Sequence, residues 1–230
     1  MNRLLRVLAV AWLTLLPACL PQPRLPGTSL CRDAVNLGDV KTAVTAYHDS
    51  GRYLIDVASV ALQAEHYLEQ RVGEQDARHP ARLAIILDID ETALTNWDGI
   101  KPSDFGYVPA VWNDWVRKSA APALAPVLDL SRDAHRLGVA IFFISGRREN
   151  QRTATELNLQ RAGYSNWEAV VLQPDGAHFP SAADFKGPER ARIVANGWTI
   201  VENVGDQPSD LLGGYAERSF LIPDPFYRVP

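Results

Sequence analysis

Cysteine is nearly absent from the 230-residue chain: Cys19 and Cys31 are the whole supply, both close to one end. Two thiols so placed cannot frame a fold, which excludes a disulfide scaffold. Basic charge is scarce as well. Lys and Arg number 23 against 27 Asp and Glu, a formal net charge of −4. With no basic stretch to neutralise a phosphate backbone, a nucleic-acid polymer is excluded as a partner. No segment repeats at a fixed period, so solenoids and propellers are excluded too. The composition, 47% hydrophobic and 22% charged, is that of a globular protein with a core of ordinary size. The length fits one domain with room for a small appended subdomain.

The first residues read as an address. Arg3 and Arg6 precede an apolar run over 7–16, broken by Thr14 and followed by Pro17, Ala18 and Cys19. This is the layout of a bacterial secretion signal over 1–18, and its apolar part is too short to span a bilayer. The small residue directly before Cys19 also resembles a lipobox, in which Cys19 would be acylated and become the new N-terminus. Ordinary signal cleavage is the alternative. The chain is therefore expected to be exported to a bacterial periplasm, or held at an outer membrane by a lipid on Cys19. Residues 19–36, rich in proline, read as a tether.

Over 37–82 the apolar positions keep helical spacing, from Val40, Val44 and Tyr47 to Val57, Ala61 and Leu68. Gly51 is expected to divide this segment into two helices, with Asp49 or Ser50 capping the second, and Pro80 closes it. From residue 83 the pattern changes. Short apolar runs at 83–89, 139–144, 169–172, 198–204 and 219–222 read as buried strands, and 122–137, 149–162 and 185–196 read as helices between them. Such alternation predicts an α/β fold, a parallel sheet covered by helices on both faces. In sheets of this kind ligands bind beyond the carboxyl ends of the strands.

Those ends carry polar residues. The first strand ends in Asp88-Ile89-Asp90-Glu91-Thr92, whose two aspartates two residues apart project to the same side. Clustered acids repel and lose hydration unless a cation or proton offsets them. The second strand ends in Ser145-Gly146-Arg147, offering a hydroxyl and backbone N–H groups to an anion. The fourth ends in Gly205-Asp206, with Asp210 four residues on, and Lys186 lies before it. Singly, each reads as a capped turn or a surface lysine. Together, three strand-end carboxylates make a hard oxygen site suited to Mg²⁺, and the hydroxyl and lysine add donors for phosphoryl oxygens.

The order Asp-x-Asp-x-Thr, Ser, Lys, Gly-Asp-x-x-x-Asp resembles the four signature motifs of the haloacid dehalogenase (HAD) superfamily, over about residues 83–222. Within it, 86–92, Trp112-Asn113-Asp114-Trp115, Ala121-Pro122 and 205–211 look like the acid phosphatases shared by bacterial class B and C enzymes and plant vegetative storage proteins. The last motif, with Gln207, is closest to the plant-type members. The resemblance implies a Rossmann-like HAD core over 83–230, an N-terminal helical segment, and a cap-like insertion over about 95–121. It implies that Asp88 is the nucleophile and Asp90 the general acid and base. Mg²⁺ would be held by the side chains of Asp88 and Asp206 and the backbone carbonyl of Asp90. Ser145, Gly146 and Lys186 would bind phosphoryl oxygens, with Thr92 and Asp210 behind them. The implied substrate is a small phosphomonoester.

The insertion holds Trp97, Phe105, Tyr107, Trp112 and Trp115. Aromatics over a site can stack on a nucleobase or aryl group, and Trp97 and Tyr107 are the expected pocket residues, with Trp112 and Trp115 equally suited to a helix core face. A storage, surface or phosphate-binding protein on the same fold is the alternative function. Oligomeric state is left open.

Overall fold

The computed structural model describes residues 35–229, apart from 77 and 79. The expected signal, nearly all of the tether, Cys19 and Cys31 lie outside the described residues. None of the described helices is long and apolar enough to cross a membrane.

Helical spacing becomes two helices, α1 (Leu37–Asp49) and α2 (Arg52–Gly73), which part at Gly51. Gly51 adopts φ +79°, a conformation that costs other residues, and it is itself the residue that precedes α2. Neither Asp49 nor Ser50 takes the N-cap position expected of it. Tyr53, Val57, Ala61, Ala64 and Leu68 form the buried stripe of α2, and most of it enters the same apolar cluster as the sheet. Residues Leu37–Pro230 form one compact unit, so these helices belong to the core of the sheet.

The sheet has five parallel strands among the described residues: β1 (Arg82–Leu87), β2 (Ala140–Arg148), β3 (Ala169–Gln173), β4 (Trp198–Gly205) and β5 (Ala216–Leu221). Their order is β3-β2-β1-β4-β5. After β1 come α3 (Trp97–Ile100), a 3₁₀ turn at Lys101–Ser103, α4 (Pro109–Lys118) and α5 (Ala125–Arg136). Then α6 (Arg152–Arg161) follows β2, α7 (Ala182–Ala195) follows β3, and α8 (Pro208–Leu211) follows β4.

The side-chain period of two sorts β1 cleanly. Leu83, Ile85 and Leu87 point into the cluster shared with α2 and α5, while Ala84 and Ile86 meet Phe185 and Ile193 of α7. A strand covered on both faces has no polar side to show, which is why β1 reads as an unbroken apolar run. The chain steps outward from β1 to β2 to β3, then returns to lay β4 on the other side of β1. The crevice beyond β1 and β4 is therefore the place where such sheets bind ligands.

Candidate active site

Asp88 continues the line of β1: its N–H donates to the carbonyl of Val204 on β4 at 2.9 Å, and its side chain is buried. The chain then turns tightly, with Thr92 and Leu94 N–H both donating to the Ile89 carbonyl and Glu91 at φ +55°. The turn brings Thr92 Oγ1 to donate to Asp206 Oδ1 at 3.0 Å, tying the end of β1 to the end of β4. Asp206 precedes α8 and Asp210 lies within it. Asp210 Oδ2 accepts from the N–H of Gln207 at 2.9 Å, the N-terminal cap of that short helix. Gly205 is the residue this packing requires, since a Cβ there would lie 2.6 Å from Asp210 Cβ.

Oxygens of Asp88, Asp206 and Asp210 lie within 4.8 Å of one another, all three residues buried. Lys186 reaches them from α7. Its ammonium donates to Asp88 Oδ1 and, at 2.7 Å, to Asp210 Oδ1. Although it reads as a surface lysine by position in sequence, it is 4% exposed. Burial works against its charge, but the two aspartates outweigh burial and hold its pKa above that of an ordinary lysine. Burial raises the Asp88 carboxyl to about 7; Lys186 opposes this, and Asp210 and Asp90 add to it. Asp206 is raised by burial and then by Asp88 and Asp210. Three enclosed carboxylates facing one ammonium leave negative charge uncompensated. That hard oxygen set fits a divalent cation such as Mg²⁺ in charge and in chemistry.

Asp90 is not one of the three clustered carboxylates, although it lines the same cleft. It accepts from Arg147 Nη2 at 2.6 Å and from Nε at 3.1 Å on each oxygen. The guanidinium is almost wholly buried, its side chain 1% exposed. Asn96 Nδ2 also donates to Asp90 Oδ1, at 2.9 Å. Ser145 is buried, its Oγ accepting from the N–H of Arg147 at 3.2 Å, and it is not among the residues that line the cleft. Gly146 lines the cleft beside Asp88, Asp90 and Lys186. The expected site residues Asp88, Asp90, Gly146, Lys186, Asp206 and Asp210 thus surround one cleft of about 590 Å³, with Thr92 behind Asp206.

The aromatic expectation is corrected in part. Tyr107 lines the cleft and is 73% exposed, but Trp97 does not line it. Trp97 is 8% exposed and stacks on His48 of α1 with ring centroids 3.7 Å apart, backed by Phe226. Its place at the start of α3 turns it inward to the helical layer. Trp112 and Trp115 of α4 line the cleft instead, together with Phe105 and Phe179.

The sequence reading gave no role to several residues here. Glu91 is fully buried; burial raises its carboxyl to about 8, and hydrogen bonds from Asn96 oppose that. Tyr227 Oη donates to Glu91 at 2.8 Å, and Gln207 Nε2 bridges Asp206 and Asp224 at 2.5 and 2.6 Å. Glu91 and Arg147 sit inside the recognised motifs and could have been singled out. Asp224 and Tyr227 carry no local signal, because the C-terminal segment reaches the site through the fold alone.

Carboxylates, a lysine and a hydroxyl at the carboxyl edge of a parallel sheet define a hydrolase of the HAD type. The chain belongs to the HAD superfamily, subfamily IIIB (acid phosphatase), whose sequence profile matches residues 32–230, and it is accordingly a phosphoric monoester hydrolase. It is 34% identical over 183 residues to acid phosphatase 1 of Solanum lycopersicum, covering 77% of this chain and 69% of that protein. It is 33% identical over 193 residues to a stem 28 kDa glycoprotein of Glycine max, covering 81% and 74%. The class C acid phosphatase of Bacillus anthracis superposes with a TM-score of 0.66 at 27% identity, covering 84% of this chain and 87% of that one. Plant relatives at this identity agree with the plant-type character of 205–211.

Proposed function

We propose that the chain is an exported, Mg²⁺-dependent phosphomonoesterase that turns over through an aspartyl-phosphate on Asp88. The observation that carries this reading is the convergence of Asp88, Asp206, Asp210 and the buried Lys186 at the foot of an open cleft. Asp88 and Asp206, with the backbone carbonyl of Asp90, are the residues to hold Mg²⁺. Bound there, the cation supplies positive charge that offsets the carboxylates and the incoming phosphate.

Asp88 attacks phosphorus, and the ester P–O bond breaks as the Asp88–phosphorus bond forms. A proton passes from Asp90 to the leaving oxygen, and the alcohol departs. Asp90 then takes a proton from water, which hydrolyses the acyl phosphate and restores Asp88. Lys186, the Ser145 hydroxyl and the Gly146 backbone bind phosphoryl oxygens. Tyr107, Trp112 and Trp115 offer flat apolar faces to the leaving group, which favours aryl phosphates and nucleotides among small esters. Export rests on the signal-like residues 1–18 and on relatives that are glycoproteins by name. Acylation of Cys19 would add a lipid anchor.

The test is hydrolysis of an aryl phosphate between about pH 4 and pH 8, with Mg²⁺ and with a chelator, in the wild type and in Asp88→Asn. Turnover is expected with Mg²⁺, and its loss is expected with chelator and in a folded Asp88→Asn. Relatives at 28–30% identity are named vegetative storage proteins. The absence of turnover under every condition would favour that second reading and sink the first.

A further inference from the structure

We propose that Asn96 is a positioning residue for Asp90: it holds the carboxylate by Oδ1 and leaves Oδ2 as the oxygen that hands a proton to the leaving group. The proposal rests on the phosphomonoesterase reading above and assigns a new role within that site.

Asn96 is 0% exposed and every polar atom of its amide is engaged. Oδ1 accepts the indole N–H of Trp115 at 2.8 Å. An indole nitrogen can only donate, so the oxygen of the amide must face Trp115 and the NH₂ must face the other way. Its two hydrogens go to Asp90 Oδ1 and to Glu91 Oε2, each at 2.9 Å. The backbone N–H of Asn96 donates to Glu91 Oε1 at 2.5 Å, and Tyr227 Oη fixes Glu91 from the C-terminal segment. The amide is thus held by α4, by the β1 turn and, through Glu91, by the end of the chain. Asp90 lines the cleft, as do Trp115 and Tyr227 of the same set, whereas Glu91 does not.

The two oxygens of Asp90 are not equivalent. Oδ1 receives Asn96 Nδ2, Arg147 Nη2 and Arg147 Nε; Oδ2 receives only a share of Arg147 Nε, at 3.1 Å. Three donors saturate the acceptor sites of Oδ1, whereas Oδ2 keeps room for a proton. When the ester bond breaks, the proton moves from Oδ2 to the leaving oxygen. The negative charge left on Asp90 is met by hydrogen bonds already in place, with no reorganisation needed. Trp115, which sets the sense of the amide, is itself a wall of the leaving-group cleft.

The experiment compares kcat/KM for 4-nitrophenyl and phenyl phosphate, because only the poorer leaving group needs protonation. In Asn96→Ala the ratio of the two is expected to rise about tenfold, a fraction of the ~10²–10⁴ that acid catalysis supplies. Asp90→Asn is expected to show the raised ratio already, and adding Asn96→Ala to it should leave the ratio unchanged. Should Asn96→Ala fail to fold, Trp115→Phe, which frees the amide while keeping an aromatic ring, is expected to raise the ratio by about threefold. Equal losses on both esters, or a further rise in the Asp90→Asn background, would overturn the proposal. Failure of the underlying reading looks different: the wild type then hydrolyses neither ester, or Asp90→Asn leaves the ratio untouched.

Discussion

At the scale of single residues, Lys186 is the ammonium that, among the described residues, is enclosed with Asp88 and Asp210. Replacing it leaves two buried carboxylates facing each other and Asp206, and breaking a buried pair typically costs about 3–5 kcal/mol. Lys186→Met is expected to lose stability of that order in metal-free protein, as measured by urea unfolding. Mg²⁺ should restore part of the loss, since it offsets the same charge. A loss indifferent to Mg²⁺ would count against a cation shared by these carboxylates. Lys186 shows also why single residues were hard to read. A lysine near a helix start is ordinarily solvated, and nothing in 185–190 reveals that α7 aims it into the sheet edge.

At the scale of elements, the ends of β1 and β4 act as one unit. Thr92 reaches Asp206, Asp88 N–H reaches Val204, and the short α8 is capped by Asp210 while that same side chain receives Lys186. The backbone at Gly205 passes so close to Asp210 that even a methyl group forces movement. Gly205→Ala is expected to destabilise the fold by about 1–3 kcal/mol, in the range for overpacking. Because the displaced residues hold the site, turnover of an aryl phosphate should fall with it. Wild-type melting temperature and turnover in the variant would refute the close approach. In the insertion, α3 and α4 meet in a similar way: a Cβ at Gly99 would lie 2.8 Å from the Trp115 ring. That contact seats the indole whose N–H orients Asn96.

At the scale of the molecule, one buried acid has no part in the chemistry. Glu202 of β4 is 0% exposed, pairs in register with Ile85 and Arg218, and neither carboxylate oxygen has a hydrogen-bond partner. Burial raises its carboxyl to about 8, with Arg218 opposing. The folded state therefore holds its proton where the unfolded chain, at about 4.5, has released it. Folding stability from this group is full below about pH 4.5 and declines as pH rises toward about 8, by at most about 1.4 kcal/mol per pH unit. Glu202→Gln, which fixes the neutral form, is expected to flatten the fall in unfolding free energy between pH 5 and pH 8. If wild type and variant share one pH slope, Glu202 is not the source.

The parallel sheet and the acids at its edge were legible in the sequence for a physical reason. A strand buried on both faces is mostly apolar, and where β1 and β2 leave the core the first polar residues stand out, at Asp88 and Ser145. Gly51 between two amphipathic stretches was legible for a similar reason, since a left-handed residue interrupts helical spacing. Partnership across the fold was decided elsewhere. That Lys186 is buried, that Trp97 turns inward while Trp112 and Trp115 face the cleft, and that Tyr227 closes on Glu91 from 136 positions away all depend on how helices seat on the sheet. Hydrogen-bond and charge partners are chosen by proximity in space. The linear order of residues sets which groups are available, and only packing determines which of them meet.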